Sequence, residues 1–179
     1  MKIGIGIVIF ILAFSISSCK LLTHNSDKNS STPAPEISVN KLCGFPNQVG
    51  LVNDYGGLLT EFQRNELSEI LNDYEENTSR QIAIVIVDTI SPYRDIQEYA
   101  VDLGNSWGVG TLEKDNGLVI VLCKPCRQIG IATGLGTQHI LTDEICNDVI
   151  INTILPEIRN DNFNVAIKKG VIELIDRWN

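Results

Sequence analysis

The sequence predicts an α/β fold, a mixed central sheet flanked by helices, and three observations carry that expectation. Two runs, QIAIVIVDT (81–89) and GLVIVLC (117–123), are apolar and rich in β-branched residues without polar alternation, as in strands buried on both faces. Stretches with helical spacing lie before, between and after them. The resulting order is helix, strand, helix, strand, strand, helix, helix, which interleaves the two element types as α/β chains do.

Each element follows from its residues. Asn53, Asp54 and Tyr55 with Gly56 and Gly57 form a turn cluster, and Thr60 then caps TEFQRNELSEILNDYEEN, in which Phe62, Leu67, Ile70, Leu71 and Tyr74 lie close to helical spacing. After the first strand, SPYRDIQEYAVDLGNSW returns to that spacing through Ile96, Tyr99, Ala100 and Leu103. The loop GVGTLEKDNG leads into GLVIVLC, and the short turn around Lys124 and Pro125 joins it to RQIGIAT as a hairpin. Thr142, Asp143 and Glu144 open a helix expected to reach about Leu155 and to stop at Pro156. A final helix is expected over 164–178.

The chain begins MKIGIGIVIFILAFSISSCK, one lysine followed by an apolar run and small residues, the layout of a secretory leader. Ile16-Ser17-Ser18-Cys19 resembles the lipobox of bacterial lipoproteins, which implies a leader over 1–18 and a lipidated Cys19 as the mature N-terminus. Acyl chains partition at about 0.8 kcal/mol per buried CH₂, so the protein is expected to be anchored to a membrane rather than to span it. Residues 20–42, with HNSDKNSSTPAPE at their centre, offer little apolar surface to offset the entropy of ordering and read as a flexible tether. Roughly twenty residues of coil reach about 25 Å. The remainder, 43–179, has the size of one domain.

Loss of Lys2 with the leader takes the formal charge from −8 to −9. A chain this acidic repels nucleic acid, and it suits divalent cations or basic partners. Beyond Cys19 four cysteines remain, Cys43, Cys123, Cys126 and Cys146, in a compartment that permits disulfides. Cys123 and Cys126 flank a two-residue turn, close enough to bridge, and a redox or zinc role stands as the alternative. His139 is the domain's one histidine and reads as a surface residue at a helix entry, so no Ser-His-Asp or Cys-His triad can be assembled. The Gly134-Leu-Gly136 run lacks the third glycine of a dinucleotide loop, because His139 stands there.

Asp54, Asp115 and Asp143 each lie at the edge of an element, beside glycines. A hard cation takes several oxygen ligands, and converging carboxylates would supply them. Taken singly, each also reads as a turn or helix-start residue.

An ordered set of segments then resembles the TPM domain family of thylakoid photosystem-repair proteins, a receptor modulator and bacterial envelope proteins. The set comprises Val52 to Tyr55 with Leu58 and Leu59, Gln81 to Val85, Trp107, Gly108 and Gly110, Asp115-Asn116-Gly117, Thr133 and Gly134 with Gly136, Leu141-Thr142-Asp143, and Pro156. The resemblance implies a three-layer α/β/α sandwich. It also implies an acidic groove shaped by Asn116, Gly117, Gly134 and Gly136, where Asp54, Asp115 and Asp143 bind Ca²⁺ or another divalent cation. The family often has glutamates where this chain has Ala132 and Gln138. The function expected is a lipid-anchored envelope protein on the extracytoplasmic side that serves an unidentified envelope partner as an interaction, assembly or repair module. The alternative is a metal-dependent acid phosphatase acting on phosphomonoesters.

Overall fold

The structure, a computed structural model, describes residues 44–179. The expected leader over 1–18, the expected lipidation site Cys19, the expected tether and Cys43 lie outside the described residues. Ten elements follow in order: β1 (Val52–Asp54), α1 (Glu61–Thr78), β2 (Gln81–Val87), α2 (Ile96–Trp107), β3 (Gly117–Cys123), β4 (Gln128–Thr133), α3 (Asp143–Val149), a π-helical segment (Ile150–Ile154), α4 (Leu155–Ile158) and α5 (Phe163–Trp178). The strands form one sheet in the order β1-β2-β3-β4, parallel across the first three and antiparallel at the hairpin.

Strand periodicity divides the core into two. Ile82, Ile84 and Ile86 with Leu118, Ile120 and Leu122 face Leu67, Leu71 and Tyr74 of α1 and Ala166, Ile167, Val171 and Leu174 of α5. Ala83, Val85 and Val87 with Val119 and Val121 face Ile96, Tyr99, Ala100 and Leu103 of α2. The sandwich is therefore α/β/α. From β1 to β2 to β3 the strand order advances in one direction, yet α1 and α2 lie on opposite faces. The two crossovers consequently have opposite hands, a departure from the usual right-handed rule.

Helix starts are fixed locally. Thr60 accepts from the Gln63 N–H at 3.2 Å while the Gln63 side chain accepts from the Thr60 N–H at 2.9 Å, a reciprocal capping box. Asp95 caps α2 and Thr142 caps α3. The carboxyl end of α5 is fastened by Arg80, which donates to the Trp178 carbonyl and to the Tyr74 hydroxyl and lies 5.3 Å from the Trp178 ring centre. Among the described residues no helix is long and apolar enough to cross a membrane.

Three expectations need correction. The turn cluster at 53–55 begins inside a strand, β1, whose three residues are too few to show a period. Phe62 is 76% exposed, because it lies at the start of α1, outside the stripe that Leu67, Leu71 and Tyr74 bury. Pro156 does not stop its helix. The helix widens to π geometry over 150–154, with the Leu155 N–H donating to the Ile150 carbonyl, and this wider turn carries the chain past a residue that lacks an N–H.

Candidate functional site

The two ends of the sheet carry different sets of the candidate residues. At the carboxyl end of its parallel strands, the loops after β1 and β2 depart to opposite faces, the topological position at which α/β folds commonly bind ligands. Asp54 stands here, opposite Ile86 of β2. Its Oδ1 accepts from the Leu58 N–H at 3.1 Å and its Oδ2 from the Leu59 N–H at 2.7 Å, and its side chain is 0% exposed. Gly56 packs beside Asp88, where an added Cβ would sit 3.2 Å from Oδ1. An open pocket of about 230 Å³ lies nearby, lined by Leu58, Gln63, Asp161, Asn162, Phe163, Asn164 and Val165. From the β3–β4 turn, Lys124 places Nζ 4.5 Å from the centre of the Phe163 ring. Burial pushes the Tyr55 phenol up from its ordinary value.

Asp115, Asn116 and Gly117 lie at the opposite, amino end, where Gly117 pairs with Gln81 of β2. Five residues of β2 separate that level from Ile86, about 17 Å at 3.3 Å per residue, before the two strand spacings are added. Ligands of one Ca²⁺ lie 2.3–2.6 Å from the ion, so Asp54 and Asp115 cannot share it. The three-aspartate centre is thus corrected: a residue that ends one parallel strand and a residue that precedes another sit at opposite ends of the sheet. Among the described residues, no group of three or more His, Cys, Asp or Glu side chains is arranged to hold a metal ion. The shared cation does not fit these residues.

The groove-shaping role also changes. Asn116 is an internal fastener: its Oδ1 accepts from the Thr111 N–H and hydroxyl at 2.9 and 3.0 Å, and its Nδ2 donates to the Ser79 carbonyl at 2.6 Å. Gly134 and Gly136 admit carbonyls, since Cβ atoms there would lie 2.0 Å from the Asp115 oxygen and 1.8 Å from the Lys114 oxygen. The Gly134 N–H donates to the Gly117 carbonyl at 2.8 Å and the Gly136 N–H to the Asp115 carbonyl at 3.1 Å. The 111–117 and 134–137 loops are therefore interlocked. Asp143 begins α3 beyond this interlock, where a carboxylate complements the helix N-terminus. Ala132, on β4, is buried in the face covered by α2.

Cys123 and Cys126 are joined in a disulfide across the β3–β4 turn. The turn is a strand connection, unlike the helix N-terminus that makes a redox thiol reactive. Cys146 is free and lies on the buried face of α3, and burial together with Asp143 pushes its thiol up to about 12. The sequence reading assigned no site role to Asp88, none to Lys124 beyond the hairpin turn, and none to residues 161–165, where the chain enters α5. Asp88 could have been found as the polar residue that follows an apolar strand.

Two crossovers on opposite faces, with a loop closed on Asp54 at one end of the strands and an interlocked loop pair at the other, define an α/β/α domain of a particular topology. Residues 52–177 match the TPM domain, and the chain belongs to that family. Solved structures share the fold. The N-terminal domain of a P. gingivalis protein is 26% identical, with a TM-score of 0.65 over 71% of this chain and 80% of its own. The N-terminal domain of cg2496 from Corynebacterium glutamicum is 16% identical, with a TM-score of 0.58 over 77% and 86% respectively. The BA42 protein of the psychrophile Bizionia argentinensis is 19% identical, with a TM-score of 0.58 over 68% and 86%. No curated protein matches the chain significantly.

Proposed function

We propose that this is a lipid-anchored protein of the bacterial cell envelope whose TPM domain serves, on the extracytoplasmic side, as an interaction or assembly module. The anchor rests on Cys19 after Ile16-Ser17-Ser18 and on the Ser, Asn and Pro-rich stretch between it and the domain. One observation supports a binding rather than a catalytic role: the carboxylates that a metal-dependent phosphatase would gather are divided between two ends of the sheet, and Asp54 is enclosed by its own loop.

The test is metabolic labelling of the full chain with an alkyne palmitate in a bacterial host, followed by fractionation. Label and membrane association should both be lost in Cys19→Ser. An unlabelled, freely soluble wild type would refute the anchor. In parallel, p-nitrophenyl phosphate should not be turned over. Turnover that disappears in Asp115→Asn and Asp143→Asn variants with intact folding would replace the module reading with the phosphatase.

A further inference from the structure

The disagreement between the cation that the resemblance implies and the residues present points to a different role for Asp54. We infer that Asp54 is a clamp that closes the β1–α1 loop, and that the domain holds its shape without a cation shared by Asp54, Asp115 and Asp143.

The loop's backbone donors are nearly all accounted for within the chain. Tyr55 and Gly56 both donate to the Ile86 carbonyl, at 2.9 and 3.3 Å, and Leu58 and Leu59 both donate to the Asp54 carboxylate. Gly57, with φ at +62°, turns the chain between the two pairs. Arg64 bridges the closed loop to α1, since its Nη1 lies 4.0 Å from Asp54 Oδ2 and donates to the Leu59 carbonyl at 3.2 Å. Thr60 and its capping box follow directly, so the carboxylate sets the point at which α1 begins.

Access decides against a ligand role for this residue. A bound cation needs an oxygen facing it, and the Asp54 side chain has no exposed surface. An ion could reach it only by opening the loop, which would break both N–H bonds and strip the loop of its closure. A carboxylate that accepts two backbone N–H groups already supplies what a loop-closing ion would supply.

The experiment is thermal unfolding of the full-length protein in detergent, in 5 mM Ca²⁺ and in EDTA, for the wild type and for Asp54→Asn, Asp115→Asn and Asp143→Asn. The wild-type Tm should be the same in both solutions. Asp54→Asn, which sets an amide NH₂ against an N–H donor, should lower Tm by about 5–10 °C equally in both, because charge-assisted hydrogen bonds are lost. Asp143→Asn should stay within about 2 °C of wild type, as expected at an exposed helix-start position, and Asp115→Asn, at a half-buried position with φ at +46° that asparagine also adopts, should give the same Tm in Ca²⁺ and in EDTA. A wild-type Tm that rises with Ca²⁺ and loses that rise in all three variants would overturn the inference. Should Asp54→Asn fail to fold, hydrogen exchange of the wild-type Leu58 and Leu59 amides decides. Slow exchange, equal in Ca²⁺ and EDTA, upholds the clamp, and protection that requires Ca²⁺ overturns it.

Discussion

Replacing Gly136 with alanine tests the interlock at the amino end of the sheet most directly. Gly136 is not among the residues with positive φ, so alanine meets no backbone penalty there and would by itself add about 0.4–1 kcal/mol by restricting the unfolded chain. Its Cβ, however, would lie 1.8 Å from the Lys114 oxygen and 3.0 Å from the Lys114 carbonyl carbon. Backbone must therefore move by more than 1 Å, taking with it the Gly136 to Asp115 bond at 3.1 Å and the Asn116 contacts with Thr111 and Ser79. Three or four bonds weakened at about 1 kcal/mol each outweigh the entropic gain, for a net loss of roughly 2–4 kcal/mol.

Equilibrium unfolding in urea of the variant beside the wild type measures this. Gly108→Ala is the control of opposite kind. Gly108 has φ at +67° with nothing within 4 Å of its would-be Cβ, so its cost is conformational and near 1 kcal/mol. The reasoning fails if Gly136→Ala is as stable as wild type, or if Gly108→Ala proves the more damaging of the two.

Three further outcomes follow from the packing. The Cys146 thiol, pushed up to about 12, should resist an aromatic disulfide reagent at pH 8 until the protein unfolds. Because the unfolded thiol ionises near 8.5, stability should fall as pH rises from there towards 12, and Cys146→Ala should flatten that limb. Glu157 is held below the usual carboxylate range by its hydrogen bond from Lys169 and then by Asn162. Its contribution is complete above the unfolded glutamate value near 4.3 and is lost as pH falls through the lowered folded value, so Glu157→Gln should lower Tm at neutral pH, leave it unchanged at the acid end and thereby flatten the acid limb of a Tm against pH curve. Gly170→Ala sets a Cβ 2.6 Å from Ile154 side-chain carbons, where α5 meets the π-helical segment, and should cost about 1–3 kcal/mol in thermal unfolding. The paired change with Ile154→Val should recover part of that loss.

What could be read from the sequence was whatever local pattern and burial jointly dictate. β2 and β3 are sandwiched between helices and so carry uninterrupted apolar runs, and the caps at Thr60 and Thr142 are local chemistry. β1 was illegible because a three-residue edge strand has no period, and its loss concealed the error about the aspartates. Once β1 is known to be parallel to β3, Asp54 as a strand's last residue and Asp115 two residues before a strand's first must lie at opposite ends. Family resemblance named the residues but not their separation, which register alone supplies.

The run from Gly134 to Asp143 shows how the same letters support two different chemistries. A glycine loop that cradles an anion presents free backbone N–H groups to a space that a phosphate occupies. Here the Gly134 and Gly136 N–H groups are given to the Gly117 and Asp115 carbonyls. The space that missing Cβ atoms leave is taken by the carbonyl oxygens of Lys114 and Asp115. These oxygens carry partial negative charge, so the surface that meets the glycines is the wrong sign for an anion. In this chain glycine is needed at 134 and 136 because another stretch of backbone occupies the place of a ligand, and that stretch carries Asp115 and Asn116 into the start of β3.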